Sequence, residues 1–179
     1  MKKHVDAFDY AGTICKAMKK GILLTTKLGE KVNTMTIGWG MIGVEWGKPV
    51  FITLVRESRF TKGYLDATEE FTVNIPISDV DSQILALCGT KSGREIDKIQ
   101  ALGLELVASD VVSAPGIRQL PLTLECKVLY KQKQDPSAIP EAVINRYYPE
   151  IDNSPIPGEN RDYHTAYYAE IVNAYLIEN

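Results

Sequence analysis

The stretch NTMTIGWGMIG, Asn33 to Gly43, joins strand-favouring residues to three glycines, which strand interiors normally avoid. Side chains alternate between the two faces of a strand. On that reading Asn33, Met35, Ile37 and Trp39 share one face, and Thr34, Thr36, Gly38 and Gly40 share the other. The second face is small and rich in hydroxyls, so a flat polar ligand could lie close to the backbone there. The same glycines also suit a bend or bulge in a barrel strand.

Outward from this stretch, β-rich runs are bounded by turn residues: Ile22 to Thr26, Val50 to Val55, Phe71 to Ile75, Leu122 to Tyr130 and a closing run from Tyr163 to Glu178. A further strand is expected at Leu104 to Val107. The run LTLECKVLY alternates as a half-buried strand does. Short helices fit between strands: one with Thr61 as N-cap, one opened by Ser78 and Asp81 and stopped at Gly89, one capped by Gly103, and one from Glu141 to Tyr147. The pattern predicts a mainly β protein with flanking helices, most simply an antiparallel barrel, since closure removes exposed edges.

The 179 residues fit one domain, 1–179, and 45% apolar with 24% charged residues is the composition of a globular chain with a sizeable core. A net charge of −3 argues against a nucleic-acid partner, which calls for a basic field. The start MKKHVDAFDY lacks the apolar core of a signal peptide, and no apolar run is long enough for a membrane span, so a cytoplasmic protein without membrane association is expected. Cys15, Cys88 and Cys126 are widely spaced and odd in number, and His4 and His164 are the two histidines. Neither a disulfide framework nor a metal site follows from them.

Chemistry concentrates at VRESRFT, Val55 to Thr61, where a strand runs into a helix. Arg56, Ser58, Arg59 and Thr61 crowd that junction. Backbone N–H groups and guanidinium forks there suit a phosphate, although the arginines could equally be surface partners of Glu57, Glu69 or Glu70. The loop GTKSGR, Gly89 to Arg94, brings Thr90, Lys91, Ser92 and Arg94 around Gly93, which can cradle an anion or a ring edge. It is not a phosphate-binding P-loop, and no dinucleotide fingerprint occurs in the chain. His164 opens the last strand as either a wall residue or a functional group, and Glu170 within that apolar strand needs a partner.

In order along the chain, NTMTIGWG, RESRFT, FTVNIP, CGTKSGREIDK, LPLTLEC and DYHTAYYAEI resemble the flavin reductase-like family with the FMN-binding split barrel, in particular its flavoredoxin-like branch. The resemblance runs from about Ile22 to Ile177. It implies a six-stranded antiparallel Greek-key barrel, a homodimer, and non-covalent FMN. By motif, Asn33, Thr34, Met35, Thr36 and Trp39 would line the isoalloxazine and ribityl chain, Arg56, Arg59 and Thr61 would hold the phosphate region, and Lys91, Ser92 and Gly93 would border the flavin. Tyr163 and His164 would lie on the substrate side, although Tyr163 is inserted between Asp162 and His164 where the family has D-H-T. No catalytic side chain is required, because the flavin carries the chemistry. The expected activity is transfer of hydride from NAD(P)H to FMN and of electrons onward to a flavin, ferric or protein acceptor. The alternative is a flavoredoxin-like carrier without direct nicotinamide activity. The excursion 131–161 could form a lid or a dimer contact.

Overall fold

A computed structural model of the chain describes residues 1–149 and 162–178. Its elements are β1 (Lys2–His4), α1 (Ala11–Met18), β2 (Ile22–Leu28), β3 (Lys31–Ile37), β4 (Gly40–Glu45), β5 (Lys48–Arg56), α2 (Phe60–Thr68) and β6 (Glu70–Ile75). There follow α3 (Ser82–Thr90), α4 (Lys98–Ala101), β7 (Leu106–Val107), β8 (Gly116–Ile117), β9 (Leu122–Lys133), α5 (Glu141–Tyr147) and β10 (His164–Ile177). The part of the expected excursion at 150–161 lies outside the described residues.

The stretch Asn33 to Gly43 is where the sheet turns its corner. The main sheet is antiparallel and runs β3-β2-β6-β9-β10-β5-β4, with β1 added along β10. Its two edge strands, β3 and β4, are consecutive in the chain and joined by only Gly38 and Trp39. Counted as one bent strand, they make six with β2, β5, β6, β9 and β10. The chain itself therefore carries the sheet round from one edge to the other, and the hydrogen-bond ladder stays split between β3 and β4. The glycine at the far side of the corner is required by space. A Cβ at Gly40 would stand 2.8 Å from the Ile52 carbonyl oxygen and 3.1 Å from Met18 Sδ. Strict alternation accordingly ends at Ile37, and Trp39 belongs to the corner rather than to the strand face that carries Met35.

Two hairpins fix the neighbouring registers. In β4–β5, Glu45 pairs with Lys48 across Trp46 and Gly47, both with positive φ (52° and 70°), the backbone of a tight hairpin turn that matches strand twist. β9 and β10 pair along their length with register shifts at Tyr168/Ala169 and Ile171/Asn173, which bend this central ribbon.

Inside the barrel, Leu24, Met35, Phe51, Phe71, Leu124 and Tyr167 belong to one buried cluster. Full burial of each large side chain contributes about 1.5–3 kcal/mol. A second cluster, with Leu23, Ile84, Cys88 and Ile117 among its members, lies on the other side of β2 under α3. β2 is thus buried on both faces. So is the first half of β9, where Leu122, Leu124 and Cys126 face the barrel while Thr123 and Glu125 are fully buried on the opposite side. The expectation of a half-buried strand there fails because Glu125 accepts hydrogen bonds from the backbone N–H groups of Asp110, Val111 and Val112 and so holds a loop over that face.

Several local expectations shift. Arg59, not Thr61, is the N-cap residue of α2, and Thr61 is a buried residue of the first turn. α3 starts at Ser82 behind Asp81, whose carboxylate accepts from the Gln83 N–H, and it runs through Gly89 to Thr90. The two-residue β7 replaces the longer strand expected from Leu104. Gly103 does take the left-handed conformation, with φ 58°.

Candidate functional site

The corner at Gly38–Trp39 opens onto a cavity of about 250 Å³ whose walls include Met35, Trp39, Val55, Arg56, Arg59 and His164. Arg56 and Arg59 come from the end of β5 and the start of α2, as the strand-to-helix reading expects, but they do different things. Arg56 is buried, and its Nη1 donates to the Asp162 carbonyl (2.7 Å) and its Nη2 to the Tyr147 carbonyl (3.1 Å). It also lies 5.2 Å from the centre of the Tyr148 ring. Its guanidinium thereby ties α5 to the start of β10. Arg59 is half-buried, and among the described residues its guanidinium has no hydrogen bond or ion pair.

Aromatic rings close one side of the cavity. Trp39 meets the Tyr147 ring edge-on at 5.4 Å and the His164 ring at 4.7 Å, and Tyr163 stacks on Tyr148 at 4.6 Å. Tyr148 Oη donates to Gln134 Oε1 (2.8 Å) and lies 2.9 Å from His164 Nδ1. The single phenol proton is used on Gln134, so the hydrogen between Tyr148 and His164 must be on Nδ1. Burial, reinforced by the Arg56 charge, pushes the imidazole down to about 4. His164 is therefore neutral at pH 7, and its Nε2 is a bare acceptor.

A second cavity of about 400 Å³ is lined by Asn33, Phe60, Gly93 and Lys98 among others. Asn33 Nδ2 donates to Thr61 Oγ1 (2.7 Å), so the opening strand and the first turn of α2 are joined by two of the expected site residues. Gly93 is pressed against them: a Cβ there would stand 2.3 Å from Asn33 Oδ1 and 2.6 Å from the Phe60 ring. Lys98 is only 4% exposed, and its ammonium donates to the Thr34 and Cys88 carbonyls at 2.9 and 3.1 Å. Burial lowers its pKa, and the Arg59 charge lowers it further. Arg59 lines the first cavity and Lys98 the second, and the Arg59 charge acts on both His164 and Lys98. Two cations that repel each other, neither with a carboxylate among the described residues, form a ready-made seat for an anion.

The remaining expected residues fall as follows. Thr34 Oγ1 accepts from Thr25 Oγ1 (3.0 Å) and donates to the Leu24 carbonyl (3.2 Å) in a buried polar row, and Thr36 Oγ1 donates to the Leu85 carbonyl (2.7 Å). The hydroxyls of that strand face are thus taken by protein acceptors, and the clearance at Gly21 and Gly89 is filled by Thr36 itself. Lys91 is exposed at the end of α3, and Ser92 Oγ accepts from the Arg94 N–H. Glu170 pairs with Lys48 at 2.6 Å.

The sequence pattern singled out Lys91 and not Lys98, whose ammonium is buried. A signal existed: Lys98 follows the N-cap Asp97 and occupies the first turn of α4, where a cation opposes the helix dipole. Among the described residues no cluster of potential metal ligands occurs, and no helix is long and apolar enough to cross a membrane.

The family model for the flavin reductase like domain matches residues 17–179. Among solved structures, flavoredoxin from Methanosarcina acetivorans superposes with a TM-score of 0.63 at 23% identity, covering 88% of this chain and 68% of that one. Flavoredoxin of Desulfovibrio vulgaris (Miyazaki F) gives 0.63 at 20% identity, covering 88% and 69%. The NADH:FAD oxidoreductase of Streptomyces globisporus C-1027 gives 0.58 at 16% identity, covering 88% and 75%. At these identities the likeness is one of fold. An uncharacterized protein of Archaeoglobus fulgidus is 30% identical over 100 residues, 56% of this chain, and the match spans 55% of that relative, about half its length.

Proposed function

The chain belongs to the flavin reductase like domain family, and from that premise we propose that it is an FMN-binding oxidoreductase that takes hydride from NAD(P)H and passes electrons to an acceptor. The observation that carries this reading is a pair of cations without carboxylate partners among the described residues, Arg59 in the cavity wall that holds Trp39 and Lys98 in the cavity wall that holds Gly93. The donor set fits a flat, phosphorylated cofactor: aromatic and apolar walls for a ring system, and cations with amide and hydroxyl groups for a phosphate.

FMN, where bound, would supply two-electron redox chemistry. Met35 and Trp39 would wall the ring system, and Asn33, prepaired with Thr61, would offer its amide from the neighbouring cavity. Arg59 and Lys98 bind the phosphate, and Gly93 lets the 92–94 loop approach. Ser92 and Lys91 sit at the rim of that loop. Arg56 and Tyr148 keep Tyr163 and His164 in place on the substrate side, where the neutral His164 offers Nε2 as a hydrogen-bond acceptor and cannot serve as a proton donor at pH 7. Residues 1–179 act as one domain. A homodimer forms through the β4 side, where Met41, Val44 and Trp46 are exposed next to Tyr130.

Titration of the purified chain with FMN, followed by anaerobic addition of NADH or NADPH, tests the reading. A flavin spectrum bleached at a metabolic rate is expected. Colourless protein that does not take up FMN would remove it, and a flavin spectrum that neither nucleotide bleaches would leave the flavoredoxin-like carrier.

A further inference from the structure

A third cavity, of about 930 Å³, adjoins the site described above. It lies between α1, the segment after β6 and α3. Its floor is apolar, with Ala17, Val80 and Leu85, and one rim carries Lys16 of α1 and Lys20, two residues beyond the end of that helix. Neither ammonium has an ion-pair partner among the described residues. Thr13, Ser78 and Ser82 add hydroxyls, and Asp79 is the single carboxylate of the lining. The cavity touches the candidate flavin site through Thr36, which lines both. The close approach of Gly21 to Thr36, 2.8 Å for a Cβ, keeps α1 against the end of β3 and so holds the lysine rim beside the corner.

An apolar floor with two unpaired cations on its rim recognises a flat ring carrying phosphate, and the volume lies within the usual 300–1,000 Å³ or so of small-molecule sites. We propose that this cavity binds the adenosine diphosphate portion of the nicotinamide donor, with Lys16 and Lys20 on the diphosphate and the adenine on the apolar floor. The inference rests on the NAD(P)H reading above. It places the two halves of the donor in adjoining cavities, with Thr36 between them, and explains how a chain without a dinucleotide fingerprint can hold such a donor.

The test is calorimetric titration of the FMN-loaded protein with ADP-ribose, and with adenosine as the uncharged control. The wild-type chain should bind ADP-ribose, and Lys16→Ala/Lys20→Ala should weaken it about tenfold, with adenosine unaffected. Ala86→Trp, which fills the cavity from an exposed position of α3, should abolish binding. FMN affinity, read by tryptophan quenching, should be unchanged in both variants. ADP-ribose binding that survives both variants, or no binding to the wild-type chain, would overturn the proposal. Should the chain take up no FMN, the oxidoreductase reading fails, and the same titration on the flavin-free protein still decides whether the cavity takes a nucleotide.

Discussion

Tyr148 Oη stands between Gln134 Oε1 at 2.8 Å and His164 Nδ1 at 2.9 Å, and this chain of contacts fixes the imidazole as the Nδ1–H tautomer. The same phenol packs α5 onto the start of β10, so one hydroxyl sets both the chemistry of the histidine and the closure of the cavity wall. Nitrogen-15 spectra should show His164 neutral, with the proton on Nδ1, from pH 8 down to about pH 5, given its folded value of about 4.

The pH dependence of stability follows with a definite sign. The unfolded imidazole titrates near 6.5 and the folded one at about 4, so between these values only the unfolded chain holds the extra proton. The contribution is fully present above pH 6.5 and is lost as pH falls toward 4, reaching on the order of 3 kcal/mol. Urea midpoints of the wild type and His164→Gln at pH 7.5 and 5 should diverge accordingly, with the wild type losing more. Equal losses would mean that the folded histidine charges freely.

Lys98 is the strongest test of the phosphate seat. Lys98→Met keeps the bulk of the side chain and removes the ammonium. FMN affinity should fall by about 10- to 100-fold, the loss of one charge-assisted contact of about 1.5–3 kcal/mol. Riboflavin, which lacks the phosphate, should bind both proteins alike. Lys91→Ala should change FMN affinity little, because Lys91 is exposed while Lys98 is buried between the Thr34 and Cys88 carbonyls. An equal loss for riboflavin would show that Lys98 acts through the fold.

Much of the fold was legible because each β-run carries its own pattern. Ile22 to Thr26, Phe71 to Ile75 and Leu122 to Tyr130 are strands, and Gly103 turns where its conformational freedom is needed. What could not be read locally was whether the glycines after Ile37 served a ligand or a corner. That depends on Met18 and Ile52, which pack against Gly40 from distant parts of the chain. Residue type and junction single out Asn33, Trp39, Arg59 and Thr61, which lie at or beside the two cavities. The burial of Lys98 beside the exposed Lys91 was not legible, because burial of an ammonium is decided by the packing of α4 against β3 and α3. Arg56 shows the same limit: its sequence position fits a ligand contact, while the partners that occupy it come from Tyr147 and Asp162.

Gly93→Ala probes the cradle. Its added methyl would stand 2.3 Å from Asn33 Oδ1 and 2.6 Å from the Phe60 ring, so Asn33 must turn and its bond to Thr61 must lengthen. A stability loss of about 1–3 kcal/mol is expected, with weaker FMN binding. Thermal melts with and without FMN measure both, and an unchanged melting temperature would mean that the 92–94 loop moves aside at no cost.

Trp39 and Trp46 are the two tryptophans, and their surroundings differ enough to make emission a local probe. Trp39 is packed against Tyr147 and His164 in the cavity wall, whereas Trp46 is 59% exposed at the tip of the β4–β5 hairpin. FMN seated against the corner should quench the emission of Trp39 and leave that of Trp46 largely intact. Trp39→Leu should therefore lose most of the FMN-dependent quenching and lower affinity through the missing ring, while Trp46→Leu should retain both. The reverse outcome would move the flavin to the hairpin tip, away from Arg59 and Lys98, and the phosphate assignment would fall with it.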